Sequence, residues 1–168
     1  MDNEPEPRRA RSVEEMNFAA SLQPCPTCGS RDVEKFQIFG DGDVWTIAGP
    51  CPSCATKRAF SFATTGVPYE TLPKPYELGP GPSQLLDADQ FRAELARVAP
   101  AVHEDPTKLA AVAWRESLAA IDIALTSLNE LIKLAPADLA ALVAERDRTM
   151  AIAKRYTADA GRIQSLDR

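Results

Sequence analysis

All four cysteines of this 168-residue chain fall in one stretch, as Cys25-Pro-Thr-Cys28 and Cys51-Pro-Ser-Cys54. Each pair is spaced to make a tight knuckle that aims two sulfurs at one point. Two such knuckles facing each other supply the four thiolates that a tetrahedral Zn²⁺ prefers. Two disulfides would need an exporting signal, which the polar, proline-containing start of the chain does not resemble. A redox dithiol is expected as one reactive pair near a βαβ pattern, not as two pairs flanking strand-like sequence. An iron-sulfur cluster uses the same four thiolates, and spacing alone does not separate it from zinc.

The residues between and after the knuckles read as short strands. Val33-Glu34-Lys35-Phe36-Gln37-Ile38-Phe39 alternates apolar and polar, as a half-buried strand does. Gly40-Asp41-Gly42-Asp43 then predicts a hairpin turn, since Gly and Asp tolerate positive φ. Val44-Trp45-Thr46-Ile47-Ala48 returns as a second strand, and Arg58-Ala59-Phe60-Ser61-Phe62-Ala63 alternates again as a third. Cys-Pro-Thr-Cys-Gly-Ser and Cys-Pro-Ser-Cys separated by strands resembles the zinc ribbon superfamily, over about residues 22–63. The resemblance implies a four-cysteine site ligated by Cys25, Cys28, Cys51 and Cys54, with Gly29 matching the glycine that commonly follows a knuckle. Position 55 is Ala rather than Gly, so the second knuckle is expected to be less tight. That superfamily spans nucleic-acid readers, ribosomal and transcription proteins, and structural or protein-binding modules, so the resemblance implies a fold and not a job.

Composition divides the chain. Eleven of the fourteen prolines and seven of the eight glycines precede residue 87, whereas residues 87–168 are rich in alanine and leucine. The expected architecture is α+β: a three-stranded zinc ribbon, then an α-helical hairpin or three-helix bundle. Residues 1–11 read as a disordered tail and residues 12–63 as a short helix plus the ribbon. Ser12 is the N-cap of that helix, with Glu15 reaching back. Residues 64–86 read as a Pro/Gly-rich linker whose Tyr69, Leu72, Tyr76 and Leu78 lie along a surface. The helical domain occupies 87–168, with helices at 88–98, 106–135 and 136–165. Asp87 and Gln90 form a capping box, and Asp105-Pro106 starts the second helix. Leu109, Val112, Leu118, Ile121, Leu125, Leu128 and Ile132 form its apolar stripe, widened by Trp114, Ile123, Leu131 and Leu134.

The formal charge is −5, and four thiolates with a dication take the loaded protein to about −7. Such a chain is repelled on average by phosphate backbones and anionic membranes. No apolar run approaches a membrane span, and metal-binding thiols suit a reducing, cytoplasmic setting. Catalysis has little support. Four thiolates close a zinc's coordination sphere, no phosphate loop or His-Glu-x-x-His is present, and His103, the only histidine, sits in a loop beside Glu104 and Asp105 as a surface group.

The expected function is therefore a zinc-binding, non-catalytic protein-interaction module, of the adaptor or immunity-protein kind found as bacterial accessory proteins. Homo-oligomers offer another way to cover the apolar helices. The candidate partner contacts are Trp114 on the broad apolar helix and Arg148, Arg155 and Arg162, spaced by seven residues on one face. For the arginines the plainer expectation is a solvated face with local pairs such as Glu145 with Arg148 and Arg155 with Asp159. The alternative function is nucleic-acid binding by the ribbon, through Arg31, Lys35, Lys57 and Arg58 with Phe36, Trp45, Phe60 and Phe62 for stacking. Asp32, Glu34, Asp41 and Asp43 balance those cations and disfavour it.

Overall fold

Helix caps, a tight hairpin and alternating strands each appear, and together they divide the chain in two. The computed structural model describes residues 9–64 and 75–166. One unit comprises the described residues up to 64 together with 78–86, and the other comprises 75–77 together with 87 onward. The arrangement is α+β.

In the first unit the sheet runs in the order β1 (Arg9–Ala10), β4 (Lys57–Thr64), β3 (Val44–Pro50), β2 (Gln37–Asp41). Asp41 pairs with Val44, so Gly42 and Asp43 alone turn the hairpin, with Gly42 at φ +60°. The side-chain period of two puts Trp45, Ile47, Arg58, Phe60 and Phe62 on one face. Ile47 and Phe62 there are buried, as are Met16, Ala19 and Ala20 of α1 (Val13–Ser21). Ser12 caps α1 by accepting from the Glu15 N–H at 3.1 Å. The Glu15 carboxylate reaches one residue beyond the cap, accepting from the Arg11 N–H at 2.6 Å.

Three features differ from the sequence expectation. The sheet has a fourth strand, because Arg9–Ala10 pairs in parallel with Ala63 and Thr64 instead of belonging to a loose tail. Residues 78–86, expected as linker, pack on the start of α1. There Arg11 donates to the carbonyls of Gly79 and Gly81, Ser12 to that of Leu78, and Ser83 to Glu15, while Leu78 and Leu86 are buried. Tyr69 and Leu72 lie outside the described residues. The third difference is at residues 33–36, which turn instead of extending β2, the Phe36 N–H donating to the Val33 carbonyl at 3.0 Å.

Out of the strand, Phe36 meets Arg58. Arg58 is 6% exposed, and its guanidinium lies against the stacked Phe36 and Phe60 rings, 5.4 and 5.1 Å from their centroids, which are 6.4 Å apart. Its N–H groups go to backbone carbonyls: Ala20 and Gln23 at the end of α1, and Ser30 and Asp32 just after the first knuckle. One buried cation thus ties β4 to the negative end of a helix dipole and to the loop that carries Cys28. Gly49, opposite Arg58 in the register, makes room for this, since a Cβ there would sit 2.8 Å from the Phe36 ring.

The second unit is built on α3 (Ala111–Leu134), which packs against both α2 (Ala88–Val98) and α4 (Leu139–Leu166). Asp87 and Gln90 complete the expected capping box. Trp114, Ile121 and Leu125 face Ile152, Ala153, Tyr156 and Ile163, while Ala120 and Ala124 let Val98 approach closely. Val112, expected on the apolar stripe, is 65% exposed, and Ser117 takes the inward position. The second helix starts at Ala111 rather than 106. Pro106–Lys108 make a separate 3₁₀ turn, and Leu109 is extended. Arg162 accounts for this, because it takes the carbonyls of Pro106 at 2.7 Å and Leu109 at 3.2 Å.

A buried polar knot closes the bundle. Tyr156 Oη lies 2.6 Å from Ser117 Oγ and donates to the His103 carbonyl at 3.1 Å, while the His103 N–H donates to Ser117 Oγ at 3.0 Å. Tyr156→Phe should cost about 1–2 kcal/mol in urea denaturation, because the His103 carbonyl and Ser117 stay behind with one partner fewer. Adding Ser117→Ala to Tyr156→Phe should cost less than the sum of the two single changes.

Candidate metal centre

The two knuckles are near copies. Gly29 N–H donates to the Cys25 carbonyl and Ala55 N–H to the Cys51 carbonyl, both at 2.8 Å. Cys25 N–H goes to Ser30 and Cys51 N–H to Thr56, again both at 2.8 Å. Gly29 adopts φ +74° and Ala55 φ +62°. The second knuckle is therefore as tight as the first, and the expected looseness at position 55 is corrected: Ala55 takes the left-handed conformation that glycine would take. That conformation costs a non-glycine residue about 1 kcal/mol. Ala55→Gly should raise the stability of the metal-loaded first unit by about 0.5–1 kcal/mol, read as a shift of its urea midpoint.

Cys25, Cys28, Cys51 and Cys54 converge, their sulfurs all lying within 4.8 Å of one another. Cys25 Sγ is 3.6 Å from Cys54 Sγ, and Cys28 Sγ is 3.5 Å from Cys51 Sγ. These separations are far beyond a disulfide bond of roughly 2 Å. They approach the edge of roughly 3.8 Å that a tetrahedron has when four sulfurs stand about 2.3 Å from one ion. Sulfurs this close together suit a single ion better than a multi-iron cluster, whose own irons and sulfides spread the thiolates. Cys25 and Cys51 are buried while Cys28 is exposed, so one edge of the site meets solvent. The Thr56 hydroxyl lies 3.2 Å from Cys54 Sγ and 2.9 Å from Thr27 Oγ1, so a threonine from each knuckle joins a second layer around the sulfurs.

The metal-free electrostatics explain why a cation belongs here. Burial pushes the Cys25 thiol up, but the backbone N–H groups of Thr27 and Cys28 and the neighbouring sulfurs outweigh it and bring it down to about 6. Burial also opposes ionisation of Cys51, yet the Ser53 N–H and Cys28 lower it on balance. At Cys28 the Ser30 N–H pulls down, but the sulfurs of Cys54, Cys51 and Cys25, with burial, push the thiol up to about 12. Cys28 thus keeps its proton at neutral pH unless a cation displaces it. At neutral pH a metal must expel at least the Cys28 proton, so affinity should rise with pH, by about tenfold or more per unit between pH 6.5 and 8.5. Chelator competition across that range measures the slope, and a pH-independent affinity would contradict it.

The other candidate residues sit elsewhere. Trp114, expected to meet a partner, is instead a core residue, 7% exposed, its ring 5.3 Å from that of Tyr156. The seven-residue spacing of Arg148, Arg155 and Arg162 serves the second unit itself. Arg148 pairs with Glu104 at 2.6 Å and with Glu145 at 3.7 Å, Arg155 donates to the Glu104 carbonyl at 3.1 Å, and Arg162 pairs with Asp159 and holds Pro106 and Leu109. The expected Arg155–Asp159 pair is corrected: Asp159 belongs to Arg162, one turn on. The hydrogen bonds from Arg148 and Arg162 hold the Glu104 and Asp159 carboxyls below their ordinary range. These arginines strap the 104–109 loop to α4.

The cations expected to serve nucleic acid are partly consumed as well. Arg58 is buried against Phe36 and Phe60, Arg31 donates to the Leu22 carbonyl at 3.2 Å, and Phe62 is buried, while Lys35 and Lys57 remain exposed. Sequence reasoning missed Arg58 as an organising residue, although its place on the same strand face as Phe60 and Phe62 was visible. No helix among the described residues is long and apolar enough to cross a membrane. Set against known protein families, curated proteins and solved structures, the chain matches none of them.

Proposed function

We propose that this chain is a zinc-stabilised, non-catalytic protein-interaction module of a reducing, cytoplasmic compartment. The observation that carries the reading is the closed four-sulfur site, which leaves no coordination position for a water or substrate. Among the described residues no second cluster of His, Cys, Asp or Glu suited to a metal accompanies it. Zn²⁺ is the preferred ion, because four sulfurs within 4.8 Å of one another suit a single ion in an all-sulfur tetrahedral set and zinc has no geometric demand beyond that. Protein is favoured over nucleic acid as the partner because Arg58, Arg31, Phe36, Phe60 and Phe62 are engaged within the first unit, on a chain of net charge −5.

Native mass spectrometry of the protein recovered from its own cell lysate tests this. The expected result is a stoichiometric complex with another protein and one zinc per chain, reconstituted from purified components. Recovery with nucleic acid and no protein partner overturns it, as does salt-sensitive micromolar binding to single- or double-stranded DNA or RNA in an electrophoretic titration.

A further inference from the structure

The sheet of the first unit buries one face and leaves the other open. The open face carries Gln37, Phe39, Val44, Ala48, Lys57 and Ala59. Phe39 and Val44 are each 54% exposed, and they are two of only four large apolar side chains so exposed among the described residues. They are diagonal neighbours across β2 and β3, since Phe39 pairs with Thr46 and Asp41 with Val44. Beside them lies a groove of about 500 Å³, floored by the small side chains of Ala48 and Ala59 and walled by Phe39. Its size matches a site for one large side chain and its neighbours. At its lip Lys57 is exposed, and its ammonium makes no hydrogen bond or ion pair among the described residues. Lys57 pairs in register with Pro50, at the opposite end of the sheet from the acidic hairpin at 41–43. In a chain of net charge −5, an apolar groove rimmed by an unpaired cation is locally matched to an apolar group beside a negative one.

We infer that this open face is a docking site for a partner peptide segment in which one large apolar side chain enters the Phe39 groove and an adjacent carboxylate meets Lys57. The inference rests on the protein-interaction reading and gives it a surface and a partner chemistry. Polar main-chain groups of the segment face solvent, and its apolar anchor supplies most of the affinity, as buried anchors do at interfaces.

The test pans a randomised decapeptide phage library on the zinc-loaded full-length protein, synthesises the most enriched peptide, and titrates it by isothermal calorimetry. Enrichment of large apolar residues next to Asp or Glu is expected. Phe39→Ala and Lys57→Glu, both at exposed positions, should each weaken the peptide by about tenfold or more while leaving zinc content and melting temperature unchanged. Lys57→Glu panned afresh should enrich Lys or Arg in place of the acid. Amide shifts of the labelled protein should move at 37–39 and 48–59. No enrichment, peptides indifferent to both substitutions, or binding of single-stranded oligonucleotides abolished by Lys57→Glu would overturn the inference. A lysate partner that binds the two variants undiminished removes this surface but leaves the interaction reading standing; absence of any protein partner removes the reading itself.

Discussion

Cys54→Ser, or Cys28→Ser, should strip the metal from the chain and unfold the first unit while leaving most of the helical circular-dichroism signal in place. Serine is a hard, weakly acidic ligand in place of a thiolate, and three sulfurs do not hold the ion that four hold. Structural zinc sites contribute apparent free energies on the order of 10–16 kcal/mol to folding. Little else supports this unit: among its described residues the large buried apolar side chains, cysteines aside, are Met16, Ile47, Phe62, Leu78 and Leu86. That is a small core for a unit of this length, and small domains lean on metals for this reason. The second unit has its own core around Trp114, Ile121, Leu125 and Tyr156, and none of the four cysteines lies in it. Metal content by elemental mass spectrometry should fall from one ion per chain to near zero, and the sheet's amide dispersion should collapse. A variant that kept its ion and its stability would refute the four-thiolate assignment. Helices that melted together with the sheet would make the two units one cooperative structure.

Arg58→Met should destabilise the metal-loaded first unit by about 2–3 kcal/mol in denaturation. Two effects oppose each other. Removing a buried charge saves its desolvation, and methionine would pack well against Phe36 and Phe60, as apolar residues do when they replace some buried ion pairs without loss. Here the partners are the backbone carbonyls of Ala20, Gln23, Ser30 and Asp32, and no substitution removes those. The Ala20 and Ser30 carbonyls keep the Gln23 and Cys25 N–H groups, at 3.2 and 2.8 Å, but those of Gln23 and Asp32 lose the donor that Arg58 supplies, at about 1–3 kcal/mol for a group left unsatisfied, so the loss outweighs the saving. Arg58→Lys keeps the charge but not the planar fork or the stacking, and should fall between wild type and Arg58→Met. Metal affinity should weaken in step, because the Ser30–Asp32 loop comes directly after the first knuckle. An Arg58→Met protein as stable as wild type would show that ring packing alone holds α1 to the sheet.

What the sequence determined by itself is what local spacing can encode. Two Cys-Pro-x-Cys turns aim their sulfurs whatever lies around them, Gly42-Asp43 turns a two-residue hairpin, Asp87 with Gln90 closes a capping box, and the proline at 136 separates α3 from α4. Each depends on atoms within a few residues. The tertiary structure decided the rest through side chains that bond to distant backbone, which no periodicity records. Arg58 reaches carbonyls 26 to 38 residues away and stacks on Phe36, which lies outside the strand that its alternation predicts. Arg11 reaches Gly79, 68 residues on, and turns an apparent linker into part of the first unit. Arg162 takes the carbonyls of Pro106 and Leu109 and so delays α3 by a turn. Arginine is the common agent because its five donors in a rigid fork satisfy several carbonyls at once. A carbonyl can be claimed from any point in the chain that the fold brings near.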